Sequence, residues 1–74
     1  MSYDYCKLRG IIIEKYGTQQ EFARAMGWSD RTLSLKMNNK RFWKQPEITK
    51  ASQLLSIPQD EIILYFFNTK VQYN

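Results

Sequence analysis

The sequence contains no histidine and only one cysteine, Cys6. Histidine and cysteine supply most zinc ligands, and a disulfide needs two cysteines, so we expect neither a zinc site of the usual kind nor an internal disulfide. Histidine is also the most frequent general acid or base, and the seven carboxylates are scattered without a paired motif. No glycine-rich phosphate loop is present. We therefore predict that the protein is not an enzyme and uses no cofactor, metal or small-molecule ligand.

Long apolar runs are also missing. A membrane-spanning helix needs about 20 consecutive apolar residues, and no run approaches that length. The first residues, MSYDYCK, contain no apolar stretch of the kind found in secretory signals. These absences predict a cytoplasmic protein without a membrane partner. Because 74 residues is close to the lower limit for a self-sufficient core, we expect a single domain over residues 1–74, aided by a partner subunit.

Positive charge is concentrated in one part of the chain. Eleven Lys and Arg against seven Asp and Glu give a net charge of +4. Five of the eleven basic residues and none of the acidic ones fall within residues 31–44. A cationic cluster is often only a solvated surface, but this one begins inside a motif typical of DNA-binding proteins.

That motif occupies residues 18–38, where two short helices are separated by a glycine. Thr18 can cap the first helix, and Glu21 stands where a reciprocal capping box requires a carboxylate. Gly27 is suited to end that helix, and Ser29 offers a cap for the next one. Two helices separated by so short a glycine turn are typical of helix-turn-helix proteins.

Hydrophobic periodicity predicts an all-α fold with five helices. The predicted spans are residues 5–16, 19–26, 30–38, 46–55 and 58–66. The last span includes EIILYFF, whose six consecutive apolar residues suit either a buried helix or a strand; Pro58 and the acidic residues after it favour helix. We expect an extended tail beyond it. Either the core uses all of these apolar residues, or one flank within residues 58–74 contacts a twofold-related copy.

The third predicted helix has an inward and an outward face. With Leu33 and Met37 inward, Arg31 and Leu35 point away from the core. Arginine can bind both acceptors of a guanine edge, and leucine can pack on thymine methyl groups; alternatively, both residues are simply on the surface. The candidates for base readout are Asp30, Arg31, Ser34 and Leu35.

Backbone phosphates require donors at the rim of the groove. The candidates for phosphate contact are Gln19, Lys36, Asn38, Asn39, Lys40, Arg41 and Lys44. Trp28, Phe42 and Trp43 lie beside these residues, and aromatic side chains at such positions more often pin a loop to the core than stack on bases.

The segment QQEFARAMGWSDRTLSLKMNNK resembles the small phage-type repressors and Cro-like regulators of the lambda repressor-like fold. The resemblance covers residues 8–67. It implies a phosphate contact for Gln19, base contacts for Arg31 and Leu35, and further phosphate contacts after the third helix. Asn38-Asn39 stands where Asn-Gly is usual in the family, and the absence of a long C-terminal oligomerisation domain favours a Cro-like or minimal repressor. In such proteins the tail can pair as a strand across a dimer.

These features together predict a homodimeric transcriptional regulator that binds double-stranded operator DNA. Two alternatives remain. One is the antitoxin of a toxin–antitoxin pair, which would hold its toxin with the apolar EIILYFF segment. The other is a protein-interaction module, such as an antirepressor, whose basic face meets an acidic protein instead of phosphate.

Overall fold

The computed structural model describes residues 2–69, and these form five α-helices and one 3-10 turn. The predicted all-α, five-helix fold is confirmed. None of the described helices is long and apolar enough to cross a membrane. The helices are α1 (Cys6–Tyr16), α2 (Gln19–Met26), α3 (Asp30–Met37), α4 (Gln45–Leu55) and α5 (Ile62–Phe66), with the 3-10 turn at Gln59–Glu61.

Helix boundaries differ little from the sequence prediction, and local contacts explain the differences. Helix α1 begins one residue later than predicted, where the Asp4 side chain accepts a hydrogen bond from the Cys6 amide at 2.9 Å. Helix α4 begins one residue earlier than predicted, so Pro46 lies within its first turn, where its missing N–H is not needed. The largest difference is in the fifth segment, whose first turn is 3-10 rather than α.

The predicted helix caps are partly confirmed. The Thr18 hydroxyl accepts a hydrogen bond from the Glu21 amide at 3.1 Å, and the Ser29 hydroxyl accepts one from the Thr32 amide at 3.2 Å. The reciprocal half of the capping box is wrong for α2, because the Glu21 carboxylate pairs instead with Arg24, 3.2 Å away and one turn further on. Each cap therefore satisfies one amide at its helix start.

The turn between α2 and α3 depends on a glycine. Gly27 has a φ of 80°, in the left-handed region that side-chain-bearing residues avoid. Its amide donates to the Arg24 carbonyl at 3.0 Å, and the Trp28 amide donates to the Ala23 carbonyl at 2.8 Å. These bonds end α2 and allow α3 to start three residues after Gly27.

The core lies where α1 meets α2, α4 and α5. Helix α2 also packs against α3 and α4, so it connects α3 to the rest of the domain. Large side chains from all five helices are fully buried there, and Tyr5 and Ile57 from the connecting segments complete the core. The fully buried side chains are Leu8, Ile12, Phe22, Leu33, Leu55 and Phe66.

The two ends of the described chain meet beside the exit of α3. Tyr3 and Thr69 form an isolated antiparallel bridge, and the Asp4 amide donates to the Asn68 carbonyl at 2.6 Å. The predicted extended tail therefore begins as an intramolecular pairing. Its remainder, residues 70–74, lies outside the described residues, and pairing of the tail across a dimer stays a prediction.

Asn39 holds this junction together. Its φ of 61° is in the left-handed region, which asparagine tolerates better than most residues. Its side-chain amide accepts a hydrogen bond from the Tyr3 amide and donates one to the Tyr3 carbonyl, both at 2.9 Å. The side chain thus binds a backbone segment 36 residues away.

We predict that Asn39→Ala lowers the free energy of unfolding by about 2 kcal/mol, because it removes two hydrogen bonds and places a Cβ-bearing residue without a local partner at positive φ. Asn39→Gly separates the loss of the hydrogen bonds from the backbone strain, because glycine tolerates a positive φ but lacks the side-chain amide that binds Tyr3. Urea denaturation of both variants provides the measurement. If Asn39→Gly is as stable as the parent protein, the bonds to Tyr3 contribute nothing.

Candidate interaction surface

The outward face of α3 is available to a partner. Asp30, Arg31 and Ser34 are exposed, while Leu35 is half-buried. This arrangement follows from the burial of Leu33 and Met37, which fixes the rotation of the helix. The structure therefore presents three of the four predicted base-readout residues to solvent and Leu35 only in part; their roles stay predictions.

The loop between α3 and α4, residues 38–44, carries three exposed cations: Lys40, Arg41 and Lys44. They line an open cavity of about 700 Å³, to which Thr32 contributes from α3. Among the described residues, no carboxylate lies within salt-bridge distance of these three cations. We call this set of three side chains the cationic rim.

Backbone hydrogen bonds hold the loop against the end of α3. The amides of Lys40 and Arg41 both donate to the Leu35 carbonyl, at 2.8 and 3.2 Å. The Asn38 side chain donates to the Ser34 carbonyl at 2.8 Å, one turn back on the same helix. These bonds satisfy carbonyls that the end of a helix leaves free, and they give the cationic rim a defined position beside α3.

Lys36 corrects the prediction of a phosphate contact. Its side chain is buried, with 4% of the residue exposed, because position 36 lies on the inward side of α3 next to Leu33. The ammonium Nζ donates to the Glu47 carboxylate at 2.8 Å and to the Phe42 carbonyl at 3.0 Å. It also lies 5.1 Å from the centroid of the Trp28 ring. A charge held in this way is not available to a phosphate.

Glu47 supplies the negative charge that compensates the buried ammonium group of Lys36. Its carboxylate also accepts a hydrogen bond from the Lys44 amide at 2.8 Å, which caps α4. Burial alone would raise the pKa of Glu47, but the hydrogen bonds from Lys36 and the Lys44 backbone outweigh it, so this pKa lies below its usual value. The carboxylate is therefore ionised in the folded protein at neutral pH.

The remaining predicted phosphate contacts fall into two groups. Asn39 uses its side-chain oxygen and one side-chain N–H on the Tyr3 backbone, which leaves a single side-chain N–H for a phosphate. Asn38 is exposed, and Gln19 is half-buried at the start of α2. Their contact with DNA stays a prediction.

The aromatic residues near the loop behave differently from one another. Trp28 and Trp43 pack together with ring centroids 5.4 Å apart, and Trp43 also meets Phe66 at 5.1 Å, as expected for residues that pin a loop. Phe42 does not follow this expectation, because 83% of it is exposed. The neighbouring Trp43 side chain packs against the core, and the Phe42 side chain points to solvent.

A second exposed apolar surface lies on α5. Ile63, Leu64 and Phe67 are all at least partly open to solvent, with Ile63 68% exposed, and we call them the apolar flank. The core therefore does not use every apolar residue of EIILYFF. What covers this flank stays a prediction.

Comparison with known proteins places the chain in a family. The family described as "Protein of unknown function (DUF739)" matches residues 1–69. The chain belongs to this family. No curated protein matches the chain. Among solved structures, it is similar to the solution structure of the modulator of repression (MOR) of the temperate bacteriophage TP901-1 from Lactococcus lactis. The two share 56% sequence identity over 97% of each chain, with a TM-score of 0.82.

Signals in the sequence of this DUF739 member could have indicated that Lys36 and Asn39 form bonds within the protein. Lys36 stands three residues after the buried Leu33, and Glu47 is available at the start of α4. Asn39 occupies the place where glycine is usual, which is where a left-handed residue ends a helix. The described residues contain no cluster of three or more potential metal ligands of the Cys, Asp or Glu type.

We predict that Lys36→Met lowers the free energy of unfolding by about 2 kcal/mol, because it removes the cation paired with Glu47 and leaves the Phe42 carbonyl without the Lys36 donor. Lys40→Met removes the same charge from an exposed position and is the matched control, expected to change stability by less than about 0.5 kcal/mol. Chemical denaturation measures both. Equal effects of the two variants would contradict the structural role of Lys36.

We predict that acid lowers the free energy of unfolding, because protonation of Glu47 removes its ion pair with Lys36. The pKa of Glu47 is lower in the folded state than the value of about 4.3 in an unfolded chain. The resulting stabilisation is fully present above that unfolded value and is lost as the pH falls through the folded pKa. Urea denaturation at several pH values between about 6 and 2 should show that the free energy of unfolding falls less for Glu47→Gln than for the parent protein. Glu14→Gln, in an exposed position on α1, removes one carboxylate outside the Lys36–Glu47 pair and is the matched control variant.

Proposed function

We propose that this protein is a phage regulator that modulates repression by binding a macromolecule of the repression circuit. The observation that carries the proposal is its 56% identity with a phage modulator of repression over nearly the whole of both chains. The exposed face of α3 and the cationic rim beside it provide a suitable binding surface. The proposal includes no catalysis, and its place of action is the cytoplasm, where phage operators lie.

Operator DNA is the partner favoured by the geometry of α2 and α3. In helix-turn-helix proteins the second helix enters the major groove and presents its N-terminal residues to base edges. Arg31 and Ser34 are exposed on the corresponding part of α3, with Asp30 at its start. We propose that these residues, with Leu35 in a lesser role, read bases. The phosphate contacts in this mode are Gln19, Asn38, Lys40, Arg41 and Lys44.

A homodimer would fit this DNA-binding mode. Two copies could place their α3 helices in successive major grooves about 34 Å apart. The apolar flank offers a surface for the dimer contact, because Ile63, Leu64 and Phe67 lie close together on α5 and at its end. A palindromic binding site would support this arrangement.

A repressor protein is the second candidate partner. The name of the relative describes an action on repression, and the simplest such action is contact with the repressor itself. Two residues expected at the phosphate backbone, Lys36 and Asn39, are engaged inside the protein, which reduces the expected footprint on DNA. In this mode the cationic rim would meet carboxylates of the repressor.

We predict that Arg31→Ala weakens binding to a specific DNA site by about 1–3 kcal/mol and relaxes base preference, whereas Lys40→Ala weakens binding to all DNA similarly. Each lost phosphate contact should also reduce the salt slope by about one unit. The site is obtained by selection from a random double-stranded library. Fluorescence anisotropy at several salt concentrations then compares the variants.

The outcomes separate the two modes. A selected palindrome that depends on Arg31 supports operator binding by a dimer. If no sequence is enriched but the protein binds a purified phage repressor in a manner weakened by charge removal at Lys40, the second mode is supported. If neither DNA nor repressor binds, the proposed function is wrong.

A further inference from the structure

Phe42 is exposed to a degree that neither folding nor DNA phosphates explain. It is 83% exposed, the highest value among the exposed large hydrophobic residues of the described chain. We propose that Phe42 and the cationic rim form a docking site for a protein whose apolar pocket is bordered by carboxylates. This inference rests on the protein-binding mode proposed above and assigns that mode its site and its chemistry.

The backbone around Phe42 is held in place before any partner arrives. The Phe42 carbonyl accepts a hydrogen bond from the buried Lys36 ammonium at 3.0 Å. The next side chain, Trp43, packs between the rings of Trp28 and Phe66. Phe42 is therefore presented outward from a fixed segment, and only its two side-chain torsions remain to be ordered. A preorganised aromatic side chain loses little entropy on binding, which makes it a suitable anchor.

The positive charge around Phe42 indicates that the partner surface carries negative charge. Lys40, Arg41 and Lys44 line the same cavity as Phe42. The carboxylate in the cavity wall, that of Glu47, is occupied by Lys36 and by the Lys44 amide. No carboxylate within residues 2–69 forms a salt bridge with the three cations, so in this part of the chain they can pair with carboxylates of a partner. A symmetric contact through this same surface on a second copy does not fit, because the two cationic rims would meet with like charge.

A protein explains Phe42 better than DNA does. In the DNA-binding mode, the loop after α3 would lie at the phosphate backbone. Phosphates attract cations but offer no apolar contact to a phenyl ring. Protein interfaces, in contrast, are enriched in aromatic residues and arginine at their centres and have a polar rim. Phe42 with Arg41 beside it and lysines around it matches that composition. Insertion of Phe42 between DNA bases is the competing explanation that the experiment tests.

The test uses a displayed library of random twelve-residue peptides, selected on the full-length protein after depletion on the Phe42→Ala variant. We expect enriched peptides that combine carboxylates with aliphatic or aromatic residues. Fluorescence anisotropy of a synthetic enriched peptide should show at least a tenfold loss of affinity for Phe42→Ala. Neutralising Arg41 with Arg41→Gln should also weaken binding, and added salt should do the same.

Matched variants keep the test specific. Ile13→Ala removes an exposed apolar side chain from α1, outside the surfaces named above, and should leave peptide affinity unchanged. Thermal unfolding checks that Phe42→Ala folds like the parent. Because peptide binding is measured without DNA or repressor, it can succeed or fail independently of the proposed function.

Three results would overturn the inference. The first is failure of any peptide to be enriched over the depleted library. The second is an enriched peptide whose affinity does not depend on Phe42. The third is a loss of at least tenfold in affinity for duplex DNA in Phe42→Ala without effect on peptides, which would identify Phe42 as a DNA contact.

Discussion

The ammonium group of Lys36 joins three parts of the interaction surface. It comes from α3, pairs with Glu47 at the start of α4, and donates to the Phe42 carbonyl in the loop between them. Burying a lysine is costly unless its charge is paired and its protons are bonded, and here both conditions are met. The ammonium group thus acts together with the bonds to the Leu35 carbonyl and the packing of Trp43 to hold the loop that carries the cationic rim and Phe42.

A second connection brings the ends of the chain to the same loop. Asn39 leaves α3 with a left-handed backbone and binds both polar groups of the Tyr3 backbone, while Tyr3 pairs with Thr69. The loop is thus anchored on one side by Lys36 and on the other by the N-terminal segment. Such double anchoring suits a recognition surface, since a rigid surface loses less conformational entropy when it binds.

Two apolar surfaces remain outside the core, and their surroundings differ. Phe42 stands among cations on the α3 side, whereas Ile63 and Leu64 belong to the apolar flank on α5. A small domain gains nothing in folding from exposed side chains of this size, and each surface is therefore the basis of one of the proposals above.

The sequence by itself determined the helices and the turn, because capping residues, Gly27 and apolar periodicity act over a few neighbouring residues. It also identified the outward side of α3 and the cationic segment. Only the tertiary structure decided which polar side chains stay free: Lys36 and Asn39 are engaged by Glu47 and Tyr3, partners 11 and 36 residues away. The exposure of Phe42 was decided in the same way. Local patterns do not encode such distant contacts, since their energy exists only once the helices are packed.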